Sequence, residues 1–198
     1  MRFLIKFSYD GTNYCGYQKQ PGLVTIEGKM EEALTKINNG KKTSITATGR
    51  TDKKVHALAQ YAHADIDVNI TENKLKRALN SNIPDDIHVI ETKIVEDNFH
   101  ARYNVREKTY KYIINLGEYN PIERNYVFQY NYKLDIKAIR EGIKYFEGTH
   151  DFRAFVTDNK EKENCIRTIS LTNIEEGIQK QIENAKKARE EYLTSLGE

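Results

Sequence analysis

Asp52 lies in the run Thr48-Gly49-Arg50-Thr51-Asp52-Lys53-Lys54-Val55-His56-Ala57, which sets one carboxylate among the cationic side chains of Arg50, Lys53 and Lys54. Nearby positive charge favours the ionised form of a carboxyl group. An ionised carboxylate can serve as a base or as a nucleophile that splits one hard step into two easier ones. The same residues admit a plainer role: an aspartate in a turn bonds its own backbone, with Arg50 as its ion pair. No His or Cys cluster in the sequence has metal-ligand spacing, and neither a glycine-rich phosphate loop nor a Gly-x-Ser-x-Gly elbow occurs. The expectation is chemistry centred on one carboxylate, with no metal and no cofactor.

The elements around Asp52 read as strands. Ser44–Thr48 and Ala59–Asp67 both alternate polar and apolar residues, so the Asp52 run is a strand-to-strand connection. Catalytic residues favour loops held by a rigid scaffold. Residues 2–9 read as a buried strand ended by Asp10-Gly11-Thr12-Asn13. The Tyr-, Gln- and Gly-rich segment Tyr14–Gly22 is irregular; its side chains suit stacking and hydrogen bonding to RNA, and equally a packed Ω-loop. From Thr25, an N-cap, Ile26, Met30, Ala33, Leu34 and Ile37 fall at helical spacing until Gly40. Thr71 begins a short helix with Leu75, Ala78 and Leu79, and Ile87–Val95 is a further strand. Strand, helix, strand, strand, helix, strand is the order of a ferredoxin-like unit. We place this first domain at residues 1–103.

Residues 104–198 read as a second, shortened unit. It holds a strand at Glu107–Ile114, another near Tyr126–Tyr130 and a helix from Asp135 to Phe146 closed by Gly148. A loop at Gly148–Phe155, a strand at Ile166–Leu171 and a long Lys/Glu-laced helix at Ile174–Leu193 follow. Taken alone, the pair His150/Asp151 reads as structural. The fold class expected is α+β: two ferredoxin-like units with mainly antiparallel sheets, the second shortened.

Composition narrows the functional class. Thirteen Tyr and seven Phe among 198 residues argue for a folded chain despite a charged fraction of 30%. The net charge of +2 means that any nucleic-acid binding must come from local clustering of Lys and Arg. Cys15 and Cys165 offer no disulfide framework and read as small buried hydrophobes. The N-terminal run is interrupted by charge and no segment approaches spanning length, so we expect a soluble cytoplasmic protein with no membrane partner.

Several short motifs then occur together: Tyr9-Asp10-Gly11-Thr12, Tyr14-Cys15-Gly16-Tyr17-Gln18, Gly49-Arg50-Thr51-Asp52, Val55-His56-Ala57, Phe99-His100-Ala101-Arg102, Tyr110-Lys111-Tyr112 and Gly148-Thr149-His150-Asp151-Phe152. In this order they resemble the bacterial tRNA pseudouridine synthase A family. The resemblance implies cofactor-free isomerisation of uridine to pseudouridine in the anticodon stem-loop of tRNA, by a homodimer. Asp52 matches the family's catalytic aspartate, Arg50 the arginine that accompanies it, and Tyr110 the tyrosine that packs beside the flipped base. Substrate contacts are expected from Tyr17, Gln18, Lys19, Thr51, Lys53, His56, Arg102, His150 and Phe152, with further cations at Lys54 and Arg106.

Two departures stand out. Lys54 occupies a position where the family usually has Gly; if that Gly takes positive φ, lysine is strained there, and otherwise it only adds charge. After Cys165–Ile169 the family continues with a hydrophobic segment that this sequence lacks, and Ile174–Glu198 resembles an idealised helical cap. Two other readings follow from that departure: a homologue that binds tRNA without isomerising it, and a scaffold without an RNA role.

Overall fold

The computed structural model describes residues 1–130, 132–156 and 165–176. The chain forms two compact units, Met1–Tyr130 and Asn131–Glu198. The first begins with β1 (Arg2–Tyr9), α1 (Ile26–Ile37), β2 (Ile45–Ala47), β3 (Ala57–Asp65), α2 (Glu72–Asn80) and β4 (Ile87–Val95). Its four strands make one antiparallel sheet in the order β2-β3-β1-β4. This is the strand-helix-strand-strand-helix-strand order of a ferredoxin-like unit.

β1 holds the centre of the sheet because its sequence alternates. Phe3, Ile5, Phe7 and Tyr9 are buried on one face, whereas Arg2, Leu4, Lys6 and Ser8 are only half-buried. The apolar stripe of α1 (Ile26, Met30, Ala33, Leu34) and Leu75 and Leu79 of α2 close over the buried face in one core. Thr25 Oγ1 caps α1 by accepting from the Gly28 amide (3.3 Å), and Asn39 and Gly40 turn the chain away with positive φ of 55° and 82°. Thr71 stands at the N-cap of α2 without a side-chain cap bond. Instead, α2 is tied to β4 by the Thr92 hydroxyl donating to Glu72 O (2.6 Å) and the Ile94 amide donating to Glu72 Oε1 (2.7 Å).

Several sequence expectations shift. β3 starts at Ala57, two residues before the expected Ala59, opposite Tyr9 and beside a register shift between Phe7 and Tyr9. A bulge of this kind re-aims the connection it adjoins. The expected strand at Glu107–Ile114 is absent over 107–113; only β5 (Ile114–Asn115) pairs, in parallel, with β6 (Phe128–Gln129). Alternation specifies a strand only where a neighbour accepts its backbone hydrogen bonds, and residues 106–114 are exposed throughout.

The second unit contains α3 (Ile136–Gly142), capped by Asp135 accepting from the Ala138 amide (2.9 Å), and a 3₁₀ turn at Ile143–Phe146. β7 (Gly148–Asp151) and β8 (Ile166–Ile169) form an antiparallel pair. The segment Gly148–Phe155, expected as a loop, is thus a strand followed by a 3₁₀ turn at Arg153–Phe155, and Gly148 opens β7 at φ +96°. Residues 174–176 are not helical, and the rest of the expected helix Ile174–Leu193 lies outside the described residues. Among the described residues no helix is long and apolar enough to cross a membrane.

Phe7 is fully buried at the centre of this core whereas Leu58 is 85% exposed. Phe7→Ala should therefore lower the unfolding free energy by about 3–5 kcal/mol in urea titrations. Leu58→Ala should change it by no more than about 0.5 kcal/mol.

Candidate active site

The Asp52 loop is held by direct backbone contact with the loop that follows β1. At Gly16, whose φ is +91°, an added Cβ would stand 2.9 Å from Thr51 O and 3.3 Å from the Asp52 carbonyl carbon. At Gly11 a Cβ would come within 2.1 Å of Val55 O, so no side chain fits unless the backbone moves. Between these approaches, the Tyr17 amide donates to Thr51 O (3.0 Å) and the Tyr9 hydroxyl meets Thr51 Oγ1 (2.9 Å). From the other side, buried Gln60 on β3 accepts from the Thr48 hydroxyl (2.7 Å) and donates to Gly49 O (3.0 Å).

Within the loop the Val55 amide donates to Asp52 O (3.1 Å), closing a turn whose third residue, Lys54, has φ +66°. Turns with positive φ at that position favour Gly or Asn. Lys54 is therefore a strained residue and not merely an added charge. Asp52 projects into solvent, and among the described residues its carboxylate makes no hydrogen bond or ion pair. That side chain does not close the turn and Arg50 is not its ion pair, so the plainer role available from the residues is not the one it plays.

His56 locks the far end of the loop. Its Nδ1 accepts from the Gly11 amide (3.1 Å) and lies 3.0 Å from Asp10 Oδ1, while Nε2 meets Asn125 O (2.7 Å). In the neutral ring with its proton on Nε2, Nδ1 takes the Gly11 bond; in the doubly protonated ring Nδ1–H faces Asp10 instead. The Tyr126 hydroxyl donates to Asp10 Oδ2 (2.6 Å), and its ring lies 5.1 Å from the imidazole. Desolvation alone would raise the Asp10 carboxyl. Hydrogen bonds from the Thr12 hydroxyl and amide and from Tyr126, with the charge of His56, outweigh it and bring the carboxyl down to about 2.

The other expected site residues fall into distinct settings. Tyr17 is a core residue, 1% exposed, and not a free stacking surface; the packed-loop reading describes it. Gln18 and Lys53 are exposed, and Thr51 is half-buried by the contacts above. Lys19 pairs with Glu31 at 2.8 Å, which raises its pKa, and its backbone amide donates to Glu27 Oε2 (2.6 Å). Tyr110 is 73% exposed on the segment that forms no strand. His150 and Phe152 belong to the second unit, where His150 Nε2 meets Glu147 O (2.6 Å) and Phe152 packs near Phe146 and Phe155. Asp151 faces Arg153 (3.5 Å). Of the cysteines, Cys165 is buried and Cys15 half-buried.

Arg50, Arg102 and Tyr17 share the wall of a concavity of about 270 Å³ with Glu27, His100 and Tyr103. The last three were not legible as site residues, although His100 stands in the Phe99–Arg102 motif. Tyr126 and Asn125 gave no signal either, since 116 residues separate Tyr126 from Asp10. Among the described residues no three His, Cys, Asp or Glu side chains converge as a metal ion would require.

Three consequences can be measured. Gly16→Ala should destabilise by roughly 2–4 kcal/mol, combining left-handed strain with overpacking. Lys54→Gly should stabilise by about 0.5–1 kcal/mol, because relief of about 1–2 kcal/mol of strain exceeds the added chain entropy of about 0.5–1 kcal/mol. Urea midpoints check both. For Asp10, the folded carboxyl lies near 2, below the ordinary 3.8, so its contribution is present above about pH 4 and is lost as pH falls toward 2. Asp10→Asn should therefore flatten the loss of stability over that interval in acid unfolding curves.

Sequence comparisons match this arrangement to known proteins. A family model described as tRNA pseudouridine synthase matches residues 5–104, the sheet, both helices and the Asp52 loop. A tRNA pseudouridine synthase A of Streptococcus mutans is 40% identical over 176 residues, 88% of this chain and 71% of its own length. One from Pseudothermotoga lettingae is 44% identical over 169 residues, covering 85% of this chain and 69% of its own. A tRNA pseudouridine synthase A 1 of Bacillus cereus is 42% identical over 163 residues, 82% of this chain and 66% of its own. With its βαββαβ sheet and its buttressed aspartate loop, the chain belongs to the tRNA pseudouridine synthase A family.

Proposed function

We propose that the chain isomerises uridine to pseudouridine in tRNA, at uridines of the anticodon stem-loop, with Asp52 as the nucleophile. The observation that carries this reading is an exposed carboxylate, unpaired among the described residues, on a turn fixed by the close approaches at Gly11 and Gly16. A nucleophile so placed needs little reorganisation to meet substrate. In the net reaction the bond from uracil N1 to ribose C1′ breaks and a bond from C5 to C1′ forms. The hydrogen on C5 leaves as a proton, and N1 takes one up. Asp52 attacks the target uridine covalently, the base rotates, and carbon replaces nitrogen at the ribose. Bonds rearrange without oxidation or reduction, so the chemistry requires no cofactor.

A stacked uridine must first leave the helix, which costs a few kcal/mol. Arg50, two residues from Asp52, takes the place of the extruded base, and the exposed ring of Tyr110 packs beside it. Gln18, Lys19, Lys53, Arg102, His150 and Phe152 contact the RNA, while Tyr17, Thr51 and His56 position the groups that do. The same reading carries a homodimer, a cytoplasmic location, and a pair of ferredoxin-like domains, residues 1–103 and a shortened 104–198.

The test is tritium release from unmodified tRNA labelled at uridine C5. The protein should release tritium to water, and Asp52→Ala should abolish release while leaving tRNA binding within about threefold. Equal release by the variant would remove Asp52 from the chemistry. No release by the parent protein, with tRNA still bound, would favour the reading in which RNA is held but not isomerised.

A further inference from the structure

The segment after β4 lies along the face of the sheet that α1 and α2 leave open. Ala62 and Ala64 of β3 belong to the core, so His63 and Asp65 point to that open face. Arg2 of β1 reaches along the segment, its Nη1 donating to Asp97 O and to Phe99 O (2.9 Å), while Nε and Nη2 each hold Asp65 at 2.8 Å. Two residues further on, the Ala101 amide donates to His63 Nδ1 (3.1 Å). Ala101 is 1% exposed and His63 7%, so this bond is closed to water. Beyond it the chain closes on itself: the Tyr103 and Asn104 amides donate to His100 O (3.1 and 2.9 Å), and the His100 amide donates to Asn104 Oδ1 (2.8 Å). Arg102 stands inside this turn and shares a wall with Arg50 of the Asp52 loop. The bond at Ala101 therefore fixes the turn, and Arg102 with it, to the sheet.

We propose that His63 is a positioning residue for the Asp52 site, docking the turn at residues 100–104 through its neutral imidazole and releasing it when Nδ1 takes up a proton. This role concerns how the wall is assembled and holds whatever reaction runs at Asp52. A proton on Nδ1 occupies the lone pair that Ala101 uses; the ring can then donate but no longer accept there, and a buried amide loses its partner. The charges facing the ring oppose that proton. Arg2 from β1 and His100 from the docked segment, its ring 4.9 Å away, both disfavour a cation, and Asp65 on β3 is already committed to Arg2. On the same face Lys6 stands opposite Tyr61 and Lys93 opposite Leu4, and β2 places the uncharged Thr46 opposite His63. Burial first, then Arg2 and His100, hold the imidazole below its ordinary 6.5. The unfolded chain thus binds the proton more readily, so the contribution of docking is full above that value and is lost as pH falls through the lower folded pKa.

Native-state amide exchange of the full chain reads this docking, expressed as protection factors so that the intrinsic pH dependence of exchange cancels. Ala101 should lose about tenfold or more of its protection between about pH 7.5 and about pH 5, while amides at the centre of β1 keep theirs. His63→Asn places Oδ1 where Nδ1 stood and does not titrate, so this variant should keep Ala101 protected at both ends of the interval. Nitrogen-15 shifts of the parent's imidazole give a second reading that needs no variant. Nδ1 of His63 should carry no proton at about pH 7.5 and should titrate together with the loss of Ala101 protection. Flat protection at Ala101, or a loss shared equally by β1, would overturn the assignment. So would a loss in His63→Asn equal to the parent's, which would put the proton on another group, or a proton on Nδ1 already present at about pH 7.5.

Discussion

The close approach of two glycines to the backbone of the Asp52 loop is the constraint on which the rest of the site depends. Gly11 and Gly16 sit in the loop after β1, and neither can carry a Cβ without displacing the carbonyls of Thr51 or Val55. Backbone against backbone leaves no flexible side chain to absorb motion, so the position of Asp52 is inherited from β1. That strand is the most deeply buried of the sheet, covered by both helices. The chain of support therefore runs from core to catalytic loop through one hydrogen-bonded loop, without a mobile intermediary.

Around that contact the molecule accepts local cost. Lys54 is held at positive φ, and among the described residues Tyr17 buries a hydroxyl without a partner and two arginines share a wall with no carboxylate pairing them. Each would be improved for stability by a simple replacement, and all lie within a few residues of the Asp52 loop or in the same concavity. Strain of this kind concentrates at functional sites. The Asp10–His56–Tyr126 cluster works in the opposite sense: its hydrogen bonds are satisfied, and it ties the loop's far end to Asn125.

Much of the first sheet was legible because its signals were local. The alternation of residues 2–9 and the stripe from Ile26 to Ile37 state their period directly, and Thr25 marks its helix as a cap. The Asp52 loop was legible from its position between strands and its company of cations. What could not be read depended on distant partners. Residues 107–113 alternate as a strand should, yet no ladder forms along them among the described residues, and the neighbouring strand reaches them at Ile113 O from the Phe128 amide (2.8 Å). Tyr17 looked like a stacking residue in a loop rich in Tyr and Gln, yet the loop folds inward and buries it. The partnership of Tyr126 with Asp10, and the placing of His100 and Tyr17 on the wall of one concavity, are products of the tertiary fold and leave no mark in spacing.

Amide hydrogen exchange at Tyr17 and Gly11 tests the central claim most directly. Their N–H groups bond Thr51 O and His56 Nδ1, the two ties between the loop after β1 and the Asp52 loop. If those contacts fix the nucleophile to the core, both amides should exchange as slowly as those of β1, opening only when the sheet opens. Exchange at the rate of an exposed loop, with β1 still protected, would mean that Asp52 rides on a mobile segment and that its positioning has another source.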